Sequence, residues 1–162
     1  MIFVTVGSQM PFDRLVQAVD EWAGAHPAVR VVAQVGRGAA PTRHVQRHEV
    51  LDPAAFRNCV QACRLLVAHA GMGSVLTGLE LGKPMLLLPR RGELRETRND
   101  HQVATLNWLR GKPGVHAAFD EQELRAGLEG WQTLASGGGG AAAPSPAQHR
   151  LVAALRDFIE SD

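Results

Sequence analysis

The chain contains no tyrosine, and phenylalanine and tryptophan together make up only 5% of it. Aromatic platforms of the kind that stack single-stranded nucleic acid therefore have little to be built from. Cysteine is nearly absent as well. Cys59 and Cys63 are the only two, too few for a disulfide framework and, without two further ligands nearby, a poor metal site. Four apart on one helical face, they read as buried structural thiols. The seven histidines follow no metal-ligand spacing, and no acidic triad suggests Mg²⁺. No apolar run approaches the length of a membrane span, and Met1 to Val6 lacks the basic start and long apolar core of a signal peptide. A net charge of +1 argues against general electrostatic binding of nucleic acid. A cytoplasmic protein is expected, with any membrane association supplied by a partner or by its surface.

What is present is a chain of 162 residues, 45% hydrophobic and 20% charged, ordinary for one globular domain with a real core. Short apolar runs alternate with segments of helical period. Strands are expected at Ile2–Val6, Val29–Val35, Leu65–Ala68 and Met85–Leu88, with a short one at Glu49–Leu51 and a last one at Val115–Phe119. Helices are expected at Phe12–Ala25, Ala54–Arg64, Ser74–Leu81, Asn99–Arg110 and Glu121–Trp131. This alternation predicts an α/β fold, a Rossmann-like parallel sheet with helices on both faces. Ligands bind such sheets at the carboxyl ends of the strands, which places Gly7, Gly36, Gly71 and Pro89 on one rim. Residues 1–135 form the expected domain. Residues 136–147, rich in Gly, Ala, Pro and Ser and including Gly137 to Gly140, read as a linker. Residues 148–162 then carry an amphipathic helix with Leu151, Val152, Leu155, Phe158 and Ile159 on its apolar face. That helix either returns to the sheet or docks a partner.

The most informative segment runs Val67-Ala68-His69-Ala70-Gly71-Met72-Gly73-Ser74 and continues to Gly82-Lys83-Pro84. A buried strand ends in a histidine and two glycines. Ser74 is a suitable N-cap for the next helix, in which Val75, Leu76 and Leu79 share a face, and Gly82 and Pro84 stop it. A glycine-rich turn at a helix N-terminus lets backbone N–H groups approach an anion closely, and the helix dipole favours negative charge there. A phosphorylated ligand is expected. Arg90, Arg91, Arg95 and Arg98 share a loop with Glu93 and Glu96. They form either an internally paired surface loop or a contact from Arg90 or Arg91 to a phosphate of donor or acceptor.

The wording of these motifs carries a resemblance. His69 to Ser74, the Leu-Gly-Lys-Pro stop at 81–84, the strand Pro84–Pro89 and Asn99-Asp100-His101-Gln102 resemble the donor-binding half of GT-B glycosyltransferases, with the family 28 C-terminal domain as the nearest match. The opening Phe3 to Gln9 and Pro11 to Leu15 are similar to the start of soluble subunits of two-part enzymes. These are the PssE-like proteins of exopolysaccharide assembly and the cytosolic subunit of the dolichol-pathway N-acetylglucosaminyltransferase. The resemblance covers residues 1–135. It implies a fold equivalent to the C-terminal half of a GT-B enzyme, and inverting transfer of a sugar from a UDP-sugar to a polyprenyl-diphosphate-linked acceptor. UDP-sugar would be a substrate rather than a cofactor, and no metal is expected.

By the same resemblance Gly7, Ser8 and Gln9 lie near the donor diphosphate, opposite Gly71, Met72, Gly73 and Ser74. His69 approaches the donor phosphates, where protonated or as a neutral donor it stabilises charge on the leaving group. Asp100, His101 and Gln102 grip sugar hydroxyls. Related domains often carry a glutamate on the ribose where Thr77 stands, and one short hydroxyl cannot make that bidentate contact. Glu80, one turn on, is a weaker substitute. A GT-B enzyme needs two Rossmann-like halves, so a membrane-anchored partner subunit is expected to bring the acceptor site, with contact near Met10–Arg14 and the C-terminal helix. That partner would recruit the chain to the inner face of the membrane. The alternative is a non-catalytic nucleotide-sugar-binding or regulatory subunit. A dinucleotide-dependent oxidoreductase fits poorly, because the Gly7 turn lacks the three-glycine fingerprint and no acidic residue ends Val29–Val35.

Overall fold

The computed structural model describes residues 1–137 and 144–161. In chain order it contains β1 (Ile2–Thr5), α1 (Asp13–Ala25), β2 (Val31–Gln34), β3 (Gln46–His48), α2 (Pro53–Ala62), β4 (Leu65–His69) and α3 (Met72–Glu80). There follow β5 (Met85–Leu88), α4 (His101–Leu109), β6 (Val115–Ala117), α5 (Glu121–Glu129), α6 (Trp131–Gly137) and α7 (Pro146–Glu160). Every strand pairing is parallel, in the order β3-β2-β1-β4-β5-β6. The chain is thus an α/β Rossmann-like sheet whose order reverses between β1 and β4. At that reversal the loops after the two strands diverge to opposite faces and leave a crevice.

Side chains alternate across the pleat and build two cores. Ile2, Val4, Leu65, Val67, Leu86 and Leu88 pack with Leu15, Val16, Val19 and Trp22 of α1, Leu124 and Leu128 of α5, and Trp131 of α6. Phe3, Leu66, Ala68, Met85 and Leu87 pack with Val60 of α2, Val75 and Leu79 of α3, Leu106 and Leu109 of α4, and Leu151 and Leu155 of α7. Burial on both faces explains why the central strands read as continuous apolar runs.

Helix boundaries follow local capping. The Asp52 carboxylate accepts from the Ala55 N–H at 2.8 Å with Pro53 at the first helical position, and the Asp120 carboxylate accepts from the Glu123 N–H at 2.8 Å. Ser145 and Gln148 cap α7 reciprocally. The buried ammonium of Lys83 donates to the carbonyls of Gln61 and Cys63, and so satisfies the open C-terminal end of α2 from the turn before β5.

Four sequence expectations are corrected. The third strand lies at Gln46–His48, not Glu49–Leu51, because it is a half-exposed edge whose pairing with β2 needs no apolar run. Its approach is fixed by Asp20, whose carboxylate accepts from the N–H groups of Arg43, His44 and Val45. Burial alone would raise the Asp20 pKa, but those hydrogen bonds outweigh it and hold the group below its ordinary value. Ser74 is not the N-cap of α3; Gly71 occupies that position and Ser74 lies in the first turn. The α4 helix begins at His101 with Asp100 at the cap position, while Asn99 accepts from the His101 N–H at 3.1 Å. Past residue 135, α6 continues to Gly137, whereas residues 138–143 of the expected linker and the Ile159 side chain lie outside the described residues.

The C-terminal helix returns to the chain's own core. Leu151 and Leu155 are 7% and 2% exposed, and Arg156 pairs with Glu80 on α3. Those two leucines are therefore taken from the expected partner-docking face, which keeps Phe158 at 65% exposure. Among the described residues no helix is long and apolar enough to cross a membrane. Truncating Leu155 to Ala should cost roughly 2–4 kcal/mol of stability in urea denaturation, as for other buried leucines, whereas Phe158→Ala should change it by less than about 0.5 kcal/mol.

Candidate functional site

A cleft of about 730 Å³ opens at the carboxyl ends of β1, β2, β4 and β5. Its volume lies within the range of small-molecule sites. The loop after β1 contributes Gly7, Ser8, Gln9 and Met10 to its wall. The turn from β4 into α3 contributes His69, Gly71, Met72, Gly73, Ser74 and Thr77. Arg90 and Thr97 come from the segment between β5 and α4, His101 and Gln102 from the first turn of α4, and Gln34, Leu51, Phe56 and Arg57 from the β2–α2 side.

The two glycine turns meet at the imidazole of His69. A Cβ on Gly7, whose φ is +83°, would lie 2.7 Å from the ring Nε2, and one on Gly71 would lie 2.0 Å from Cε1. Both positions exclude larger residues because the ring fills the gap between two loops from adjacent strands. Gly73 differs. A Cβ there meets nothing within 4 Å, so its face is open to the cleft it lines.

The first main-chain bond of α3 runs from the Val75 N–H to the Gly71 carbonyl, at 3.1 Å. The N–H groups of Met72, Gly73 and Ser74 have no partner among the described residues, and Gly71 supplies no side-chain cap. Three orphan donors at a helix start, beside an open glycine, are the arrangement that helix N-termini offer to anions in general.

Around the imidazole the hydrogen bonds form a line. The Arg90 backbone N–H donates to Gln102 Oε1 at 3.1 Å, Gln102 Nε2 lies 3.3 Å from His69 Nδ1, and His69 Nε2 lies 3.3 Å from Ser74 Oγ. Burial pushes the His69 pKa down to about 4, and the nearby Arg90 guanidinium adds to the shift. The ring is neutral at physiological pH. Of the two roles expected for it, the protonated one does not fit the free site.

Several expected contacts are reassigned. Arg90 lines the cleft, but its Nη1 and Nη2 donate to the carbonyls of Val6, Met10, Pro11 and Glu96, so it holds the Gly7 loop rather than reaching for phosphate. Arg91 lies outside the cleft and donates to Glu93 and the Phe119 carbonyl. Asp100 also lies outside it and accepts from the Gly92 N–H at 2.8 Å. Gln102 is 5% exposed with both ends of its amide engaged, a structural task for which its sequence position offered no sign. His101 does line the cleft, with its Nδ1 against Asn99. Thr77 lines it too, its hydroxyl donating back to the Gly73 carbonyl at 3.0 Å, while Glu80 is drawn away to Arg156. The Gly7 N–H is occupied by Thr5 Oγ1, and Ser8 and Gln9 are exposed on the rim.

Sequence reasoning missed Gln34 and Arg57. Gln34 ends the apolar run of β2, and that break in hydrophobicity was its signal. Its Nε2 donates to the Gly7 carbonyl and its Oε1 accepts from the Leu51 N–H, so it braces the loop from the β2 side. Arg57 is exposed and lines the cleft without a hydrogen bond or ion pair among the described residues. Nothing local marked it, because only packing brings α2 to this rim. Among the described residues no group of three or more His, Cys, Asp or Glu could hold a metal ion.

The low His69 pKa has a stability consequence. Below pH 6.5 the unfolded chain takes up a proton that the folded ring refuses, so stability falls from pH 6.5 down to about 4 and is unaffected by this group above that window. His69→Asn should reduce the loss of folding free energy between pH 7 and pH 5 by roughly 2 kcal/mol, read by urea denaturation at both pH values. Burial also lowers the pKa of His116, so part of the acid sensitivity should persist in the variant.

Solved structures share this fold. The solution structure of ALG13 superposes with a TM-score of 0.63 at 20% identity, over 97% of this chain and 93% of that one. The glycotransferase of kitacinnamycin gives 0.62 at 21% identity, over 99% of this chain and 39% of that one. UDP-GlcNAc 2-epimerase from Neisseria meningitidis, bound to UDP-GlcNAc, gives 0.59 at 14% identity, over 96% of this chain and 44% of that one. The chain thus spans less than half of the last two proteins and nearly all of the first. No curated protein matches it by sequence. The model of the glycosyltransferase family 28 C-terminal domain matches residues 1–117. That stretch runs from the first strand of the sheet to the end of the last and takes in every residue that lines the cleft, and the chain accordingly belongs to the glycosyltransferase family 28 C-terminal domain.

Proposed function

We propose that this chain is the donor-binding half of an inverting glycosyltransferase that takes a sugar from a UDP-sugar and delivers it to a polyprenyl-diphosphate-linked acceptor. The observation that carries this reading is the cleft at the β1–β4 reversal, where three orphan N–H groups at the start of α3 face an open glycine beside a neutral histidine. In the proposed reaction the acceptor hydroxyl oxygen bonds to the anomeric carbon as the bond from that carbon to the β-phosphate oxygen breaks. Negative charge grows on the departing diphosphate. The Met72, Gly73 and Ser74 N–H groups, the Ser74 hydroxyl and the α3 dipole oppose that charge, which lowers the barrier without a proton transfer from this chain. Ser8 and Gln9 close the diphosphate from the other side, and Thr77 and His101 lie within the cleft for the ribose and sugar.

The base that takes the acceptor proton is assigned to a second Rossmann-like half, carried by a membrane-anchored partner subunit that also binds the lipid. The exposed Met10, at 43%, remains on the rim proposed for that contact. Arg14 does not, because it is locked between Glu96, Glu121 and the Pro89 carbonyl. A non-catalytic nucleotide-sugar-binding subunit is the rival, favoured by threonine in place of a ribose-binding glutamate at Thr77.

Gly73→Val should keep the fold and abolish UDP binding measured by calorimetry, because its side chain would stand where the phosphate is proposed to lie. Unchanged affinity in the folded variant would remove the anion site. For the enzyme as a whole, sugar transfer to a polyprenyl-diphosphate acceptor should require both this chain and the partner. Robust transfer by the chain alone would contradict the two-subunit reading, and UDP binding without transfer in the presence of the partner would favour the rival.

A further inference from the structure

We infer that Gln102 is a positioning residue that fixes the direction of a hydrogen-bond chain from Arg90 through His69 to Ser74, so that the Ser74 hydroxyl always presents a proton to an anion in the cleft. A backbone N–H can only donate, so the atom of Gln102 that meets the Arg90 N–H, at 3.1 Å, must be the amide oxygen. The amide nitrogen is then the atom 3.3 Å from His69 Nδ1, and an NH₂ group can only donate. His69 Nδ1 must accept, which leaves the proton of a neutral imidazole on Nε2. That N–H lies 3.3 Å from Ser74 Oγ, which must in turn accept. The Ser74 hydroxyl proton is left over. Ser74 lines the cleft beside the orphan N–H groups of α3, so this proton adds a fourth donor to the three of the backbone.

The surroundings keep the line rigid. Gly7 and Gly71 hold the ring between them, and a Cβ on either would strike it. Gln102 is 5% exposed and Ser74 also 5%, so water has little room to compete for either side chain. The charged or titratable groups that act on the ring are Arg90, just past the end of β5, and His101 on α4, and both disfavour a second proton on it. The long 3.3 Å separations are of the kind that tighten when a ligand completes a site.

This inference deepens the donor-site reading and rests on it for the choice of UDP as the probe. Its core is nevertheless testable without ligand. Protein labelled with ¹⁵N-histidine, observed by long-range ¹H–¹⁵N correlation at pH 7, should show His69 as the Nε2–H tautomer. Gln102→Glu keeps the acceptor for the Arg90 N–H but replaces the donor by a carboxylate, so the ring proton should move to Nδ1. A residue that merely filled space would not cause that exchange. UDP affinity should fall roughly tenfold in Gln102→Glu and in Ser74→Ala, the loss expected for one hydrogen bond to a charged group. Gln102→Leu should weaken UDP and UDP-sugar by the same factor, because the chain acts on the diphosphate and not on sugar hydroxyls. A wild-type ring protonated on Nδ1 would overturn the proposal, and this holds even if no variant folds. A loss confined to UDP-sugar would overturn it too, by making Gln102 a sugar contact. Failure of the wild type to bind UDP would refute the donor-site reading alone, and the tautomer measurement would still decide the proposal.

Discussion

The site depends on one buried cation. Arg90, 4% exposed, sits past the end of β5 and reaches across the sheet rim to the carbonyls of Val6, Met10 and Pro11. Its guanidinium lies 4.7 Å from the centroid of the Phe12 ring. A loop carrying a positive-φ glycine and several unpaired carbonyls has little reason of its own to hold one shape. A planar cation with several fixed donors gives it one, because those carbonyls would otherwise be buried or half-buried without partners. The same residue's main-chain N–H anchors Gln102, so one position sets both walls around His69. The neighbouring Arg14, bound to Glu96 and the Pro89 carbonyl, steadies the segment from which Arg90 emerges.

Buried polar groups in this molecule serve mostly to place loops. Asp20 gathers three N–H groups ahead of β3, Lys83 closes the end of α2, and Gln34 ties the Gly7 loop to Leu51. Each is satisfied by main-chain partners, as buried polar atoms generally must be. The cleft can therefore leave its own donors open, at the start of α3, within a frame that needs none of them for stability.

The fold does not by itself decide the chemistry. An epimerase bound to UDP-GlcNAc and a glycotransferase both superpose on this chain at low identity, and one architecture hosts many reactions. What the superpositions show is a shared sheet architecture, and in this chain the reversal point of that sheet meets the N-terminus of α3. The choice of reaction lies with the side chains that line the cleft.

How much was legible beforehand follows from the range of the forces involved. The central strands, the helix periods and the glycine turn at Gly71 are local patterns. Short apolar runs bounded by turn residues read as strands buried on both faces of a sheet, and a glycine pair before a helical period reads as a tight entry. The edge strand at Gln46–His48 was missed because its pairing needs main-chain partners rather than apolar side chains. Gln102 and Asp100, expected on sugar hydroxyls, and Arg90, for which a phosphate contact stood beside an internally paired loop, all bond to their own protein, since a polar side chain carries no mark in the sequence of which way it turns. The sequence by itself determined the sheet, its rim and the glycine turn into α3, because hydrophobic period and glycine conformation act within a few residues. Only the tertiary structure decided that His69 is neutral, that Gln102 points inward and that α7 folds back on α3, because desolvation and hydrogen-bond partners come from residues far apart in the chain.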